Sequence, residues 1–228
     1  LSRSMEHAGM DVGVTRFLRA LTQFVMNVFL LFMIAGQLGM DSASIVAVLG
    51  AAGLALSLAL QQSLGNFAGG LLILIMKPFR VGDYIISPSG EGKVSMVGLV
   101  YTTILTTDNK AITIPNGTLS NSTVTNVTAM DKRMLELKVG IAYEADIRTA
   151  KAVLERVYRE HPMVKKDEDI KVFVDSLGDS SVVLGIRGWV ETSDYWQTRW
   201  DILEQIKLSF DEAGIEIPYN KMDVHLKQ

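Results

Sequence analysis

The chain has 228 residues, a formal net charge of −3, no cysteine, and three histidines that lie far apart in the sequence. The lack of cysteine excludes disulfides and thiolate metal sites, and histidines so widely spaced predict no zinc site. The mildly acidic charge also gives no electrostatic footprint for nucleic acid.

Charge is distributed unevenly along the chain. From Ala20 to Met76 the only charged residue is Asp41, whereas from Lys77 onward charged residues occur at the density of an ordinary soluble protein. This division predicts a membrane region followed by a soluble region. The apolar region is too long for the core of a signal peptide. Because the sequence opens with Leu1 rather than methionine, we expect it to be a piece of a longer chain.

Two apolar runs predict two membrane helices. The first, residues 20–40, has about the 20 residues needed to cross a bilayer as a helix. A buried helix of a soluble core is the alternative, but a second apolar run, residues 45–76, follows almost at once. As a helix that run would be about 48 Å long, which exceeds a hydrocarbon core of roughly 30 Å. We therefore expect it to tilt, kink or divide where polar residues and glycines cluster, at Gln62, Gly65, Gly69 and Gly70.

Basic residues at the ends of the two runs predict their orientation. Arg16 and Arg19 flank the start of the first helix, and Lys77 and Arg80 flank the end of the second. The connection, residues 36–44, has neither lysine nor arginine. By the positive-inside rule, both outer ends and everything after Lys77 face the cytoplasm.

Small residues dominate the first half of the second run and predict a helix that packs closely against its neighbours. On a helical wheel they form two flanks, and Leu54 and Leu58 lie between them, one turn apart. Small residues on both flanks allow an identical helix to pack on each side, which closes a ring and points the two leucines at its axis. Leucine rings of this kind form a constriction that blocks ions by losing its water. The same pattern also fits a packing face between helices of one monomer. The small residues are Ala47, Gly50, Ala51, Gly53, Ala55, Ser57 and Ala59.

The soluble region reads as two successive domains. Four β-rich stretches separated by turn residues predict strands within residues 81–128. The remainder reads as strand, helix, strand, strand, helix, strand, which is the order of a split βαβ, ferredoxin-like fold. Asp146 is the expected N-cap of its first helix, Ile147–Glu160, and Gly214 is expected to end the second. The last strand is expected at Met222–Leu226.

Four ordered stretches resemble those of the small-conductance mechanosensitive channel (MscS) family. They are VLGAAGLALSLALQQSLGNFAGG (48–70), KPFRVGDYI (77–85), IPNGTLSN (114–121) and PYNKMDVHLK (218–227). The resemblance covers nearly the whole chain, from about Arg16 to Lys227. It implies a membrane α-helical region followed by a cytoplasmic all-β, Sm-like domain and an α+β, ferredoxin-like domain, with the C-terminal strand in a small oligomeric β-barrel. The implied boundaries are 1–80 for the transmembrane region (helix about 16–40, pore helix about 42–62, kinked second half about 63–77), then 81–129, 130–217 and 218–228 for the three later parts.

The resemblance also implies a function. It predicts a multi-pass homoheptamer in a bacterial inner membrane that opens under membrane tension and releases ions and small osmolytes. Leu54 and Leu58 match the pore-constricting leucines, and the small residues match the interlocking helix faces. Two positions depart from the family pattern: Ser57 replaces a glycine, and Gln62 replaces the glycine of the usual kink, so the bend is expected nearer Gly65. The family also implies one more membrane helix before the first one present here.

Other function classes find less support in the sequence. There is no nucleophile-elbow motif, phosphate-binding glycine loop or metal-spaced carboxylate set, so we expect neither an enzyme nor a cofactor. Sm-like and ferredoxin-like folds can bind RNA, which leaves a membrane-tethered RNA-binding or scaffold module as one alternative. A ligand-gated relative of the same family is another. The expected partners are copies of the chain, membrane lipids, and permeating ions and small solutes, without nucleic acid.

Overall fold

The structure is a computed structural model that describes residues 12–39 and 41–222. It divides into two compact units between Phe67 and Ala68. The C-terminal residues 223–228, which hold most of the strand expected at Met222–Leu226, lie outside the described residues. Residues 218–222 are described and belong to no strand.

Two long apolar helices account for the first unit. Helix α1 spans Val12–Gln37 and helix α2 spans Ser42–Met76, the latter continuing into the second unit. Gly39 adopts the left-handed conformation, with φ of 86°, just after α1 ends. Both helices are long and apolar enough to cross a membrane, and the most apolar 18-residue stretch of each is not buried within the described structure.

A five-stranded antiparallel sheet forms the first domain of the second unit. Its strands are β1 (Tyr84–Ser87), β2 (Gly90–Val97), β3 (Tyr101–Leu105), β4 (Ala111–Pro115) and β5 (Thr125–Asn126), in the spatial order β4-β3-β2-β1-β5. A short helix, α3 (Asn116–Ser120), follows β4. The expected β-rich domain is therefore present.

Alternating side chains of the β domain build its core. Ile85, Val94, Ile104 and Ile114 come from four different strands and are buried together with Leu119 of α3. This alternation follows from the two-residue period of a strand, which directs every second side chain to the same face.

The second domain has the strand and helix order that the sequence predicts. Its elements are β6 (Lys132–Ile141), α4 (Ile147–Glu160), β7 (Lys171–Leu177), β8 (Val182–Glu191), a 3₁₀ turn (Thr192–Asp194) and α5 (Tyr195–Glu212). The sheet is antiparallel in the order β6-β8-β7, and α4 and α5 share one apolar core with it. As far as the structure is described, to residue 222, this is the ferredoxin-like arrangement up to its second helix.

The predicted helix ends of this domain are confirmed. The carboxylate of Asp146 accepts hydrogen bonds from the backbone N–H groups of Arg148 and Thr149, at 3.1 and 3.2 Å, which caps the start of α4. Helix α5 ends at Gly214, which has a φ of 66°. The backbone N–H of Ile215 donates to the carbonyl of Phe210 at 2.8 Å, as in a Schellman motif.

The C-terminal end of α2 is joined to the β domain at very short range. A Cβ placed on Gly69 would lie 2.6 Å from the backbone oxygen of Asn116, and one placed on Gly70 would lie 2.5 Å from the Asn116 side-chain nitrogen and against the backbone carbonyl of Leu99. One turn further on, Ile73 is buried in the core of the β domain. The helix end is therefore a structural part of that domain.

Asn116 organises the surface that the glycines touch. Its side chain is fully buried; it accepts a hydrogen bond from the Thr102 hydroxyl at 2.7 Å and donates one to the Gly98 carbonyl at 2.8 Å. Its backbone N–H donates to the Val100 carbonyl, also at 2.8 Å. Because both ends of the amide have partners, the residue is held in one orientation.

Helix α2 stops where the sequence predicts. Lys77 has a φ of 47°, in the left-handed region, and its backbone N–H donates to the Ile73 carbonyl at 2.9 Å. Pro78 follows and cannot continue the helix. Phe79 then turns back into the core of the β domain, which anchors the chain on the far side of the helix end.

We expect Gly70→Ala to destabilise the β domain and Gly65→Ala to leave it intact. The first change forces a methyl group against backbone atoms of Leu99, at a cost of about 1–3 kcal/mol, whereas a Cβ at Gly65 meets nothing within 4 Å. Thermal unfolding of the purified full chain, followed by near-ultraviolet circular dichroism, measures the difference. Equal melting temperatures for the two variants would show that the close approach of Gly70 is not required.

Candidate pore-lining helix

The two leucines predicted to form the constriction lie unburied on α2. Leu54 and Leu58 have 64% and 63% of their surface exposed in the single chain. They are four residues apart in a continuous helix, so their side chains lie one above the other on the same face. Large apolar side chains this exposed require lipid, another subunit or a water-poor opening as their surroundings.

The flanks beside these leucines are also uncovered. Every small residue predicted to pack against a neighbouring helix is exposed in the single chain. A Cβ built on Gly50 or Gly53 would meet nothing within 4 Å, so the backbone at these positions is open to close approach. The assignment of Leu54 and Leu58 to a constriction, and of their flanks to helix packing, stays a prediction. The small residues concerned are Ala47, Gly50, Ala51, Gly53, Ala55, Ser57 and Ala59.

The predicted kink region contains two kinds of glycine. Helix α2 is assigned without interruption from Ser42 to Met76, so it passes through Gln62 as a helix. The space around Gly65 is open, but Gly69 and Gly70 are buried against the β domain. Sequence reasoning assigned these last two glycines to helix bending and missed their contact role. The bend itself stays a prediction.

The contact missed by sequence reasoning joins residues that are far apart in the sequence. The adjacent glycines near the end of α2 match the close approach of a buried polar residue, Asn116, which lies 46 positions later than Gly70 in the chain. Nothing in a window around either position indicates that the two meet. The residues of this contact that sequence reasoning missed are therefore Asn116 and its partner Thr102.

Unpaired basic residues lie at the predicted membrane boundary. Arg16, Arg19, Lys77 and Arg80 are exposed, and within residues 12–39 and 41–222 none of them forms a salt bridge. Lys77 and Arg80 border a groove of about 380 Å³ that is otherwise lined by apolar side chains: Ile73, Leu74, Phe79, Val81 and Val97. A cationic rim beside apolar surface suits the region where a membrane meets water.

A short polar network fixes the segment between α2 and β1. The Asp83 carboxylate accepts hydrogen bonds from the backbone N–H of Arg80 and from the side-chain amide of Asn126, both at 2.8 Å. Gly82 has a φ of 102°, which a side chain rarely adopts, and its N–H donates to the Val94 carbonyl. These three hydrogen bonds thus fix the path of the chain between α2 and β1.

Metal-binding geometry is not found among the described residues. Within them, no group of three or more histidine, aspartate or glutamate side chains is arranged to hold a metal ion. The acidic run at 167–169 lies on the surface, where Glu168 pairs with Lys132.

Comparison with known proteins gives consistent matches along the chain. Residues 23–61 match the family model described as mechanosensitive ion channel, transmembrane helices 2/3; residues 62–129 match mechanosensitive ion channel, beta-domain; and residues 135–217 match mechanosensitive ion channel MscS, C-terminal. These matches are in the same order as the two long helices, the β domain and the α+β domain.

Individual relatives and solved structures match the same family as the family models do. The chain is 38% identical over its whole length to the small-conductance mechanosensitive channel of Edwardsiella ictaluri, of which it covers 80%. It is 32% identical to the large-conductance mechanosensitive channel MscMJLR of Methanocaldococcus jannaschii, with 96% of this chain and 63% of that protein covered. The closed-state crystal structure of Helicobacter pylori MscS superposes with a TM-score of 0.89 at 29% identity and covers 96% of this chain and 87% of that one.

The fold and the uncovered helix together define a subunit of a membrane ion channel, not an enzyme. The chain belongs to the MscS family of mechanosensitive channels. A plant member, Arabidopsis thaliana MSL1, shares the fold with a TM-score of 0.80 at 22% identity, with 96% of this chain and 80% of that one covered.

Proposed function

We propose that the protein forms a homoheptameric channel in a bacterial inner membrane, opened by membrane tension, that releases ions and small osmolytes during hypo-osmotic shock. The proposal depends on one observation: Leu54 and Leu58 are mostly exposed on a helix whose two flanks carry exposed small residues. Within residues 12–39 and 41–222 that face has no partner, and copies of the same helix fit it on both sides.

Repetition of one contact around an axis explains the constriction. A heterologous contact between one flank and the opposite flank of the next copy closes a ring when the rotation closes. Leu54 and Leu58 then face the axis from every subunit. Two stacked leucine rings form an apolar neck in which water is unstable, so ions cannot pass although the backbone leaves an opening.

Membrane tension acts on such a ring through area. A state with a wider ring occupies more of the membrane plane, so tension favours it over the narrow state by the product of tension and added area. The shift between the two states therefore needs no ligand, only a difference in area between them. A subunit whose membrane helix is joined to its soluble domain at Gly69 and Gly70 transmits helix displacement to that domain.

The basic boundary supports the proposed orientation and a contact with membrane lipids. Lys77 and Arg80 are exposed, and neither forms a salt bridge within the described part of the chain. Each attracts the anionic surface of a cytoplasmic leaflet, and the apolar side chains beside them, including Leu74 and Val81, suit its boundary with the acyl chains. In the proposed orientation, the β domain and the α+β domain lie in the cytoplasm.

A direct test is reconstitution of the protein in liposomes followed by suction on an excised patch. Tension should produce discrete, reversible current steps in the absence of any added ligand. Patches that stay silent up to membrane rupture, while a reconstituted MscS relative opens in the same lipid, would contradict tension gating. Currents that need an added solute would instead support a ligand-gated channel.

We expect Leu54→Ser to lower the tension at which the channel opens and to raise the leak of the closed state. A hydroxyl at the constriction stabilises water there and removes the apolar barrier. The matched control is Leu56→Ser, because Leu56 is as exposed as Leu54 but lies on the opposite side of α2. Patch recordings measure both threshold and leak, and equal effects of the two changes would contradict the pore-facing assignment of Leu54.

We expect Ala51→Leu to alter gating, whereas Ala51→Ser leaves it near the wild-type behaviour. Ala51 lies exposed on one flank, where a large side chain separates adjacent helices and a serine of similar volume does not. The separation of the helices should change the opening threshold and loosen the assembly. Patch recordings measure the first effect and size-exclusion chromatography with light scattering the second. Identical behaviour of both variants would argue against tight packing at this flank.

A further inference from the structure

A histidine is buried at the end of helix α4, in the C-terminal domain. His161 follows the last residue of α4, and 3% of its side chain is exposed. The backbone N–H of Met163 donates a hydrogen bond to its Nδ1 atom at 3.3 Å. A ring nitrogen that accepts a hydrogen bond carries no proton, so the imidazole is neutral with its proton on Nε2.

The other ring nitrogen points toward helix α5. The Nε2 atom of His161 lies 3.8 Å from Oδ2 of Asp201, whose Oδ1 accepts a hydrogen bond from the side-chain amide of Gln197 at 2.8 Å. The histidine therefore contacts its own loop through one nitrogen and faces α5 through the other.

Protons can reach this site from the surrounding water. A groove of about 500 Å³ between α4 and α5 has His161 in its wall. Asp201 of α5 is the charged group nearest to the ring, and the charged residues that line the groove with His161 are Arg156 and Glu160 from α4 and Glu212 from α5. Burial lowers the pKa of His161, and the carboxylate of Asp201 opposes this shift without cancelling it.

Protonation would break one of the hydrogen bonds within the loop after α4, residues 161–164. A proton on Nδ1 would face the N–H of Met163, so two donors would meet where a donor and an acceptor met before. The same loop is tied to α5 because the buried Thr198 hydroxyl donates to the sulfur of Met163 at 3.4 Å. A change at His161 is thus passed to the packing between the end of α4 and the start of α5.

We propose that His161 is a pH-sensitive latch between α4 and α5, closed while the imidazole is neutral and loosened when the cytoplasm becomes acidic. The inference rests on the proposed function only for the side of the membrane on which this domain lies. It assigns a regulatory role to a residue outside the membrane helices and the β domain.

The direction of the pH dependence follows from the lowered pKa. In the unfolded chain a histidine has a pKa of about 6.5. Because the folded chain binds the proton less tightly, the stability from the neutral form is fully present above about pH 6.5 and is lost as the pH falls below it. The loss ends once the pH falls below the pKa of the folded state.

The experiment compares the full chain in detergent micelles at about pH 7.5 and about pH 5.5. Hydrogen exchange of residues 157–163 and 198–206, corrected for the intrinsic pH dependence of exchange, should be faster at the lower pH in the wild type. We expect His161→Gln to abolish that acceleration, because the glutamine oxygen accepts the Met163 N–H and does not titrate. We expect Asp201→Asn to enlarge it, because the imidazolium then lacks a facing carboxylate.

Matched controls separate titration from simple loss of packing. Ile202→Val in the core beside Asp201 should lower the melting temperature at both pH values and keep the wild-type pH dependence. The other two histidines remain in every variant, so their titration cancels. If His161→Gln does not fold, the test is the effect of Asp201→Asn on the acceleration of exchange at the lower pH.

The outcomes distinguish this proposal from the proposed function. If His161→Gln keeps the full wild-type acceleration, or Asp201→Asn leaves it unchanged, the latch is overturned even when the channel opens under suction. Exchange is measured without opening the channel, so a channel that never opens under tension overturns the proposed function and leaves the latch to its own test. The latch is supported if the lower pH accelerates exchange in the wild type and in Ile202→Val, accelerates it more in Asp201→Asn, and does not accelerate it in His161→Gln.

Discussion

The contact between the end of α2 and the β domain is made by backbone atoms rather than by long side chains. Gly69 and Gly70 leave no space for a methyl group because the Leu99 carbonyl and the Asn116 amide lie against them. Interfaces of this kind have few ways to adjust, since the only side chains in this one, those of Asn116 and Ser120, are short. Movement of this helix end therefore displaces the β domain or breaks the contact, and intermediate arrangements are disfavoured.

Small residues serve two separate purposes along the same helix. Near Gly50 and Gly53 they leave the surface open, with nothing nearby in the chain, and the fit proposed there is to another copy. Near Gly69 and Gly70 they are already covered by the chain's own β domain. The glycines of α2 therefore differ in their surroundings. Those in its first half are open within the described structure, whereas Gly69 and Gly70 pack against the β domain.

The domain order could be predicted from sequence because it depends on local signals. The N-cap at Asp146, the stop at Gly214 and the end of α2 before Pro78 each depend on residues within a few positions of one another, and each is confirmed. The role of Gly70 could not be predicted in this way because its partner Asn116 is distant in the sequence. Asn116 reads as a turn residue between Pro115 and a glycine, and only the tertiary contact with Thr102 shows that it is buried.

The candidate constriction is harder to predict, because the structure of one chain does not show what surrounds Leu54 and Leu58 in the membrane. Leu54 and Leu58 are mostly exposed, and no group among residues 12–39 and 41–222 covers them. Lipid would satisfy apolar side chains such as these, yet it gives no reason for small residues on both sides of them. The proposed packing of helix copies would account for both features at once, because small flanks would allow the backbones to approach and would leave the leucines between them facing the axis.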